Sequence, residues 1–313
     1  MNRIEFVMAV AVVVLGSVFP LSEAVAGTAS PAKTQLHSSP QSGKAMPLQN
    51  LETSFSAMAA KENPSLRVYP LDCGRIRIKD MDMFADDGSY KGVSAQLVVS
   101  CYLIRHPKGD LLWDTGIGDQ FTGPKGVELM PGNVAYMPVT LRSQLAWLGT
   151  RPGKIRYLAF SHEHIDHIGN ANLMTGAIWL LNPKEHQWTV REEGHDGAPP
   201  ALLAESTKAK IQWVKDDYDV FGDGTVRILQ TPGHTPGHQS LFVRPSGEQP
   251  LILAGDVWHS RVNFLHNRVP RFNTSRSQTI ASMQLLRDLA RKTGARIVIG
   301  HAPEDFAPLN MGR

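Results

Sequence analysis

The run Ser161-His162-Glu163-His164-Ile165-Asp166-His167 restricts what this chain can fold into more than any other stretch. It follows directly on the apolar, strand-like residues 154–161. In an extended chain, residues two apart point to the same side. His162 and His164 can therefore share one cation, while Asp166 and His167, where the chain turns toward Gly169 and Asn170, can face a second. Imidazole nitrogen and carboxylate oxygen are ligands that zinc accepts, and an all-nitrogen-and-oxygen set leaves a position for water. A lone histidine is usually a core or surface residue. Three histidines and one aspartate within six residues at a strand end are a metal site.

Three more positions complete the set. His234 lies in Thr231-Pro232-Gly233-His234-Thr235-Pro236-Gly237-His238, a turn stiffened by two prolines and two glycines. Asp256 ends the apolar run PLILAGD, where a carboxylate is out of place unless it meets charge. His301 ends ARIVIGH in the same manner. Five histidines and two aspartates at strand ends or in adjoining loops describe a binuclear centre.

The surrounding pattern is alternately strand and helix. Residues 66–72, 95–106 and 109–114 read as strands, 139–149 as a helix on Leu141, Leu145 and Leu148, and 177–181 as a strand with a helix after Asn182-Pro183. The second half repeats the theme with strands at 226–232, 239–244, 250–256 and 295–301. An amphipathic helix over 275–294 opens at Ser275 and stops at Gly294. Strands then helix, twice over, predict an α+β fold with two sheets face to face and helices outside, a four-layer αββα sandwich spanning residues 65–313 as one domain.

Ahead of it, Arg3, an apolar stretch from Phe6 to Leu21 and the small residues Ala24-Val25-Ala26 read as a signal peptide over 1–26 rather than a retained anchor. The mature protein would then be periplasmic or secreted, with no stable membrane span. Residues 27–64, rich in Ala, Ser and Pro, read as a flexible tether with a short helix near Leu51–Lys61. The formal charge of +3 comes from scattered Lys and Arg with no basic run, which argues against a nucleic-acid partner. Cys73 and Cys101 lie in apolar, strand-like sequence; an exported protein could join them, but two buried free thiols is the preferred reading.

These motifs resemble those of the metallo-β-lactamase superfamily over essentially all of residues 66–313. Within it, TPGHTPGHQS and the stretch from Tyr69 through Gly116 are similar to the N-acyl homoserine lactonases. Carried over by position, the resemblance implies that His162, His164 and His234 bind a first zinc. Asp166, His167 and His301 would bind a second, and Asp256 would bridge both. It implies quorum quenching: a hydroxide held between two Zn2+ ions attacks the carbonyl of a small acyl lactone, and Asp166 carries the proton to the leaving oxygen. Iron, manganese or cobalt could replace zinc. Members of the group place a Tyr three residues after the bridging Asp; here His259 stands there, either donating to the substrate carbonyl or serving as a plain surface or supporting residue. An apolar cleft for the acyl tail is expected among Met83, Phe84, Phe121, Met137, Trp258 and Phe264, with Met81 close by. Rival readings are an organophosphate or aryl-ester hydrolase, a zinc β-lactamase, or a non-catalytic, metal-stabilised signal-binding protein; the chain could act as monomer or homodimer.

Overall fold

Period-two alternation along the strands decides which side chains meet. The computed structural model describes residues 66–123, 125–190 and 198–311. In its first sheet are β1 (Arg67–Ile78), β2 (Ala95–Arg105), β3 (Leu111–Trp113), β4 (Val127–Met130), β5 (Asn133–Tyr136), β6 (Tyr157–Ala159), β7 (Ile178–Leu181) and β8 (Lys210–Trp213). They lie in the order β4-β5-β1-β2-β3-β6-β7-β8. A second sheet holds β9 (Tyr218–Asp219), β10 (Val226–Gln230), β11 (Gln239–Val243), β12 (Leu251–Leu253) and β13 (Arg296–Val298), ordered β13-β12-β11-β10-β9.

Tyr102 and Ile104 of β2, with Leu111 and Trp113 of β3, pack against Ile228, Leu241, Val243, Leu251 and Leu253 of the second sheet. The alternate residues turn away. Val99, Cys101, Leu103 and Leu112 bury against Leu141 and Leu145 of α1 (Leu141–Trp147). Phe242 and Ile252 do likewise against Met283, Leu286 and Leu289 of α5 (Arg276–Thr293). Burying both faces of both sheets requires a helical layer on each outer side, which is the expected αββα arrangement. Further helices are α2 (Ile165–Ile168), α3 (Pro183–Thr189), α4 (Arg261–His266) and α6 (Pro303–Met311). Helix α5 starts and stops where its caps predict. Ser275 accepts from the Gln278 amide, and Gly294 takes φ 68°, the left-handed region that suits glycine.

Strand direction positions the site. β10 and β12 are both antiparallel to β11, and β13 is parallel to β12, so β10, β12 and β13 all end at one edge. β3 and β6 run parallel, so Asp114 and Ser161 leave the first sheet together. All described residues fall in one compact unit, Leu48–Arg313. The signal peptide, the tether and the helix near 51–61 lie outside the described residues.

One expectation needs correction. Cys73 and Cys101 are not free thiols but a disulfide, with 5.8 Å between their Cα atoms. β1 pairs with β2 so that Leu71 faces Cys101, and the irregularity between Asp72 and Arg75 swings Cys73 onto the same partner. Spacing alone does not reveal such a register. Bridging residues 28 apart removes unfolded-state freedom worth about 2–4 kcal/mol. A Cys73→Ala/Cys101→Ala double variant should therefore lose about that much in guanidinium unfolding. An unchanged midpoint would show that the bond contributes nothing.

Candidate metal centre

Four strand ends and one short helix carry the seven donors to one place. β6 ends at Ala159, and the chain passes through Ser161 and His162 into α2, which holds Asp166 and His167. His234, Asp256 and His301 follow β10, β12 and β13. Gly255 takes φ 57°, and a Cβ there would press 2.7 Å from His238 Nε2 and Ser161 Cβ, so only glycine lets Asp256 enter.

The donors fall into two groups sharing one carboxylate. His162, His164, His234 and Asp256 form one, and Asp166, His167 and His301 the other. In the first, His164 Nδ1 lies 2.7 Å from His162 Nε2 and 3.1 Å from His234 Nε2. Asp256 Oδ2 stands 3.7 Å from His162 and 3.5 Å from His234. Asp256 Oδ1 faces the second group, 3.4 Å from His167 Nε2 and 3.2 Å from His301 Nε2. Asp166 Oδ2 closes that group at 3.5 Å from His301.

The outer nitrogens set the proton positions. His301 Nδ1 donates to the Val98 carbonyl at 2.7 Å, and His234 Nδ1 to Asn273 Oδ1 at 2.9 Å. His167 Nδ1 meets Asp114 Oδ2 at 3.0 Å. Ser161 Oγ donates to Asp114 and can accept from His162 Nδ1 at 3.1 Å. A proton held on Nδ1 leaves the Nε2 lone pair for the centre, the usual state of a metal-binding imidazole. His167 Nε2 and Asp256 Oδ1 are buried, have no hydrogen-bond partner and face each other. A divalent cation at each group fits: it satisfies both orphaned atoms and the converging lone pairs.

Electrostatics differ between the groups in the metal-free protein. Burial, with the charges of neighbouring imidazoles, pushes His162 well below the ordinary histidine range. Burial and His234 push His164 down to about 3. Burial opposes charge on His301 too, but Asp256 and Asp166 outweigh it and hold its pKa up at about 9. Asp256 shows the reverse balance, its carboxyl held well below the usual range by His301, His259, His167 and His162 despite burial.

Supporting residues carry the geometry. His238 Nε2 accepts from the Asp256 amide at 2.9 Å, consistent with a pKa pushed down to about 3, chiefly by burial. Glu185, from the first turn of α3, accepts from the Glu163 amide at 3.0 Å and the Gly237 amide at 2.8 Å, tying together the two histidine loops. Burial and Glu163 raise its pKa to about 7. The sequence reading gave no role to Asp114, Asn273, His238 or Glu185. Asp114 carried a usable signal, a carboxylate closing the apolar Leu111–Trp113 strand, the same logic that singled out Asp256.

A cavity of about 410 Å³ opens over the centre, with His164, Asp166, Asp256, His259 and His301 at its floor. Its walls are Ile76, Ile78, Met83, Phe84, Leu97, Leu129, Met130 and Phe272, with little else polar. Of the six residues expected in an acyl cleft, only Met83 and Phe84 line it. Phe121 borders a separate cavity with Gln120 and Thr122, and Met137 is fully buried in the core beside it. Trp258 is fully buried and packs on Phe264 under α5. The physical reason is the 3-10 turn Gly255–Val257, which breaks strand alternation and brings residues three apart to one side. Asp256 and His259 thus share the cavity side while Trp258 points away. The β4–β5 hairpin, which supplies Leu129 and Met130, was not foreseen, and Phe272 sits in a loop without periodicity. His259 Nε2 lies 3.0 Å from Asp256 Oδ2.

Residues 95–301 match the metallo-beta-lactamase superfamily. The N-acyl homoserine lactonase AttM of Azorhizobium caulinodans is 31% identical over 253 residues, covering 76% of this chain and 94% of the relative. The N-acyl homoserine lactonase AiiA of Bacillus thuringiensis subsp. kurstaki is 26% identical over 218 residues, covering 67% and 83%. Among solved structures, a B. thuringiensis AiiA variant with N-decanoyl-L-homoserine bound at its active site superposes with a TM-score of 0.67 at 24% identity, covering 77% of this chain and 95% of that one. At that identity the likeness speaks for the fold.

The Asp114–His167 pair offers a direct test of the centre. An Asp114→Asn variant keeps the shape but can present an amide N–H to His167 Nδ1, disturbing its proton position. Zinc affinity, read by chelator competition, should fall on the order of 10–100-fold. Unchanged affinity would remove Asp114 from the support of the site.

Proposed function

Because the chain belongs to the metallo-beta-lactamase superfamily, we propose that it is a metal-dependent hydrolase that opens the lactone ring of N-acyl homoserine lactones. One observation carries this reading: a seven-donor cluster with two orphaned facing atoms forms the floor of an apolar cavity. The relatives, lactonases by name matched over 94% and 83% of their own length, support the same substrate class. The donor set and the orphaned atoms support two zinc ions.

Two such cations, when bound, supply an acidified water and a Lewis acid for the scissile carbonyl. The chain supplies the rest. His162, His164 and His234 would hold one cation through imidazole nitrogens, and His167 and His301 through nitrogens with Asp166 through a carboxylate oxygen would hold the other, with Asp256 between the two groups. Asp166 is the least buried carboxylate of the cluster and lines the cavity, so its Oδ2 is placed to take up a proton and return it to the ring oxygen as the carbon–oxygen bond breaks. The walls from Ile76, Ile78, Leu97, Leu129 and Met130 would hold the acyl tail and shed water from it.

The reading extends to location. The apolar stretch at the N-terminus supports export, and the Cys73–Cys101 disulfide fits an oxidising compartment such as the periplasm or the exterior. No helix among the described residues is long and apolar enough to cross a membrane.

Incubating purified, zinc-loaded protein with a long-chain N-acyl homoserine lactone should yield the ring-opened acid, seen by mass spectrometry as the gain of one water. A phosphotriester and a carbapenem should turn over far more slowly. Exhaustive chelation should abolish the reaction, and added zinc should restore it. Intact lactone after incubation, or a rate indifferent to chelation, would refute the proposal. Narrowing the cavity with Leu129→Trp should cost about tenfold in kcat/KM for a decanoyl substrate, the equivalent of roughly two methylenes left unburied. A butanoyl substrate should be spared. Equal loss on both would place the acyl tail elsewhere.

A further inference from the structure

One polar side chain interrupts the apolar wall of the cavity. β5, β1 and β2 meet there in register, with Ile76 opposite Ala135 on one side and Leu97 on the other. Residues two apart on a strand share a face. Ile78 on β1 and Asn133 on β5 therefore stand on the face that Ile76 and Leu97 present, and these four all line the cavity. An asparagine takes the place in this row where an aliphatic residue would continue the wall.

Asn133 has one structural task. Its Oδ1 accepts from the Lys79 amide at 3.0 Å, just past the end of β1 at Ile78. A backbone N–H can only donate, so this contact fixes which half of the side-chain amide is oxygen. The other half, Nδ2, meets no acceptor among the described residues. An aspartate would receive the Lys79 amide equally well. What asparagine adds is an N–H donor.

In the free protein, water can satisfy that donor. A plain hydrocarbon tail would displace the water and leave the N–H with nothing to bond, whereas a tail carrying an oxygen there would replace it. Strand spacing indicates which oxygen. The floor of the cavity adjoins β2, whose Val98 carbonyl receives His301 Nδ1. β5 lies two strands from β2, about 10 Å away. In an acylated homoserine lactone, a trans amide sets the second acyl carbon about 3.8 Å from the ring carbon that bears nitrogen. An oxygen on the third carbon stands roughly 6 Å out, and a hydrogen bond of about 2.9 Å covers most of the remainder. The amide carbonyl lies too close to the ring.

From this placement we infer that Asn133 is a specificity-determining residue: its Nδ2–H binds an oxygen on the third carbon of the acyl chain, so the favoured substrates carry a ketone or a hydroxyl there. The inference rests on the lactonase reading and narrows the substrate within it.

Three substrates and two variants test it: decanoyl homoserine lactone and its analogues with a ketone or a hydroxyl on the third carbon, each given to zinc-loaded protein. The parent should favour both oxygenated tails over the plain one by roughly three- to tenfold in kcat/KM, the yield of one neutral hydrogen bond. Asn133→Leu should bring both ratios close to one. Asn133→Asp keeps an acceptor for the Lys79 amide but has no N–H. It should lose the preference for the ketone and retain that for the hydroxyl, which can donate to a carboxylate. Ratios taken within one protein cancel differences in folding or zinc content, and Asn133→Asp preserves the Lys79 contact should the leucine variant fail to fold. A parent that opens all three lactones equally well would overturn the inference while the lactonase reading stands. So would a ketone preference that survives in Asn133→Asp. A parent that opens none of the three would overturn the lactonase reading itself, and the inference with it.

Discussion

A single buried carboxylate organises this molecule. Asp256 is 3% exposed, and its Oδ1 accepts no hydrogen bond from the protein. Burying an ionised group without partners is costly, and proteins normally avoid it. Here the surrounding imidazoles offset the cost, which explains why its carboxyl stays ionised despite burial. The local chain is built to hold it there. Gly255 admits the turn, His238 receives the backbone amide, and His259 faces Oδ2. Metal binding and folding are therefore coupled: cations that satisfy Oδ1 and His167 Nε2 relieve a penalty the metal-free fold must carry.

The same carboxylate makes the sandwich and the site interdependent. Ser161 and the donors from His162 to His167 follow strands of the first sheet, whereas His234, Asp256 and His301 follow strands of the second. Neither sheet alone assembles either group. The interface that brings them together is the apolar layer between Tyr102, Ile104 and Trp113 on one side and Leu241, Val243 and Leu253 on the other. A change that shifts the sheets by an ångström would act on the donors before it acted on stability, because a ligand set tolerates less displacement than a hydrophobic contact does.

Much of this was legible in the chain itself, for an identifiable reason. Asp256 and His301 each end an apolar run, the His162–His167 cluster follows one, and His234 sits in a Pro/Gly turn; charged or imidazole side chains in such positions are conspicuous without any structure. The helix at 276–293 was equally plain, since its caps and its period agree. Legibility failed where neighbours come from distant segments. The cysteine pair depends on an antiparallel register with an irregularity at Asp72–Arg75. The cavity wall depends on β1, β2 and the β4–β5 hairpin meeting on one side. Trp258 was misplaced because a 3-10 turn at Gly255–Val257 replaced the end of the strand expected over 250–256. Periodicity describes one element at a time, and these features belong to pairs.

The rim of the cavity shows how such pairing reaches function. The loop holding Met83 and Phe84 is clasped to residues 268–276 by Asp82–Arg271, Asp86–Arg276 and Asp87–Arg268. The Arg271 amide donates to the Met83 carbonyl at 2.9 Å, and Asn263 Nδ2 to the Phe84 carbonyl at 2.8 Å. Exposed ion pairs contribute little to global stability, so their effect here is positional. The clasped segment also carries Phe272, which closes the cavity, and Asn273, which orients His234. A displacement of the rim would thus be felt at His234 and at the Phe84–Phe272 enclosure around His259 together. The apolar wall that receives a substrate tail and the polar contacts that orient the donors are one mechanical unit, so pocket shape and metal geometry cannot vary independently in this protein.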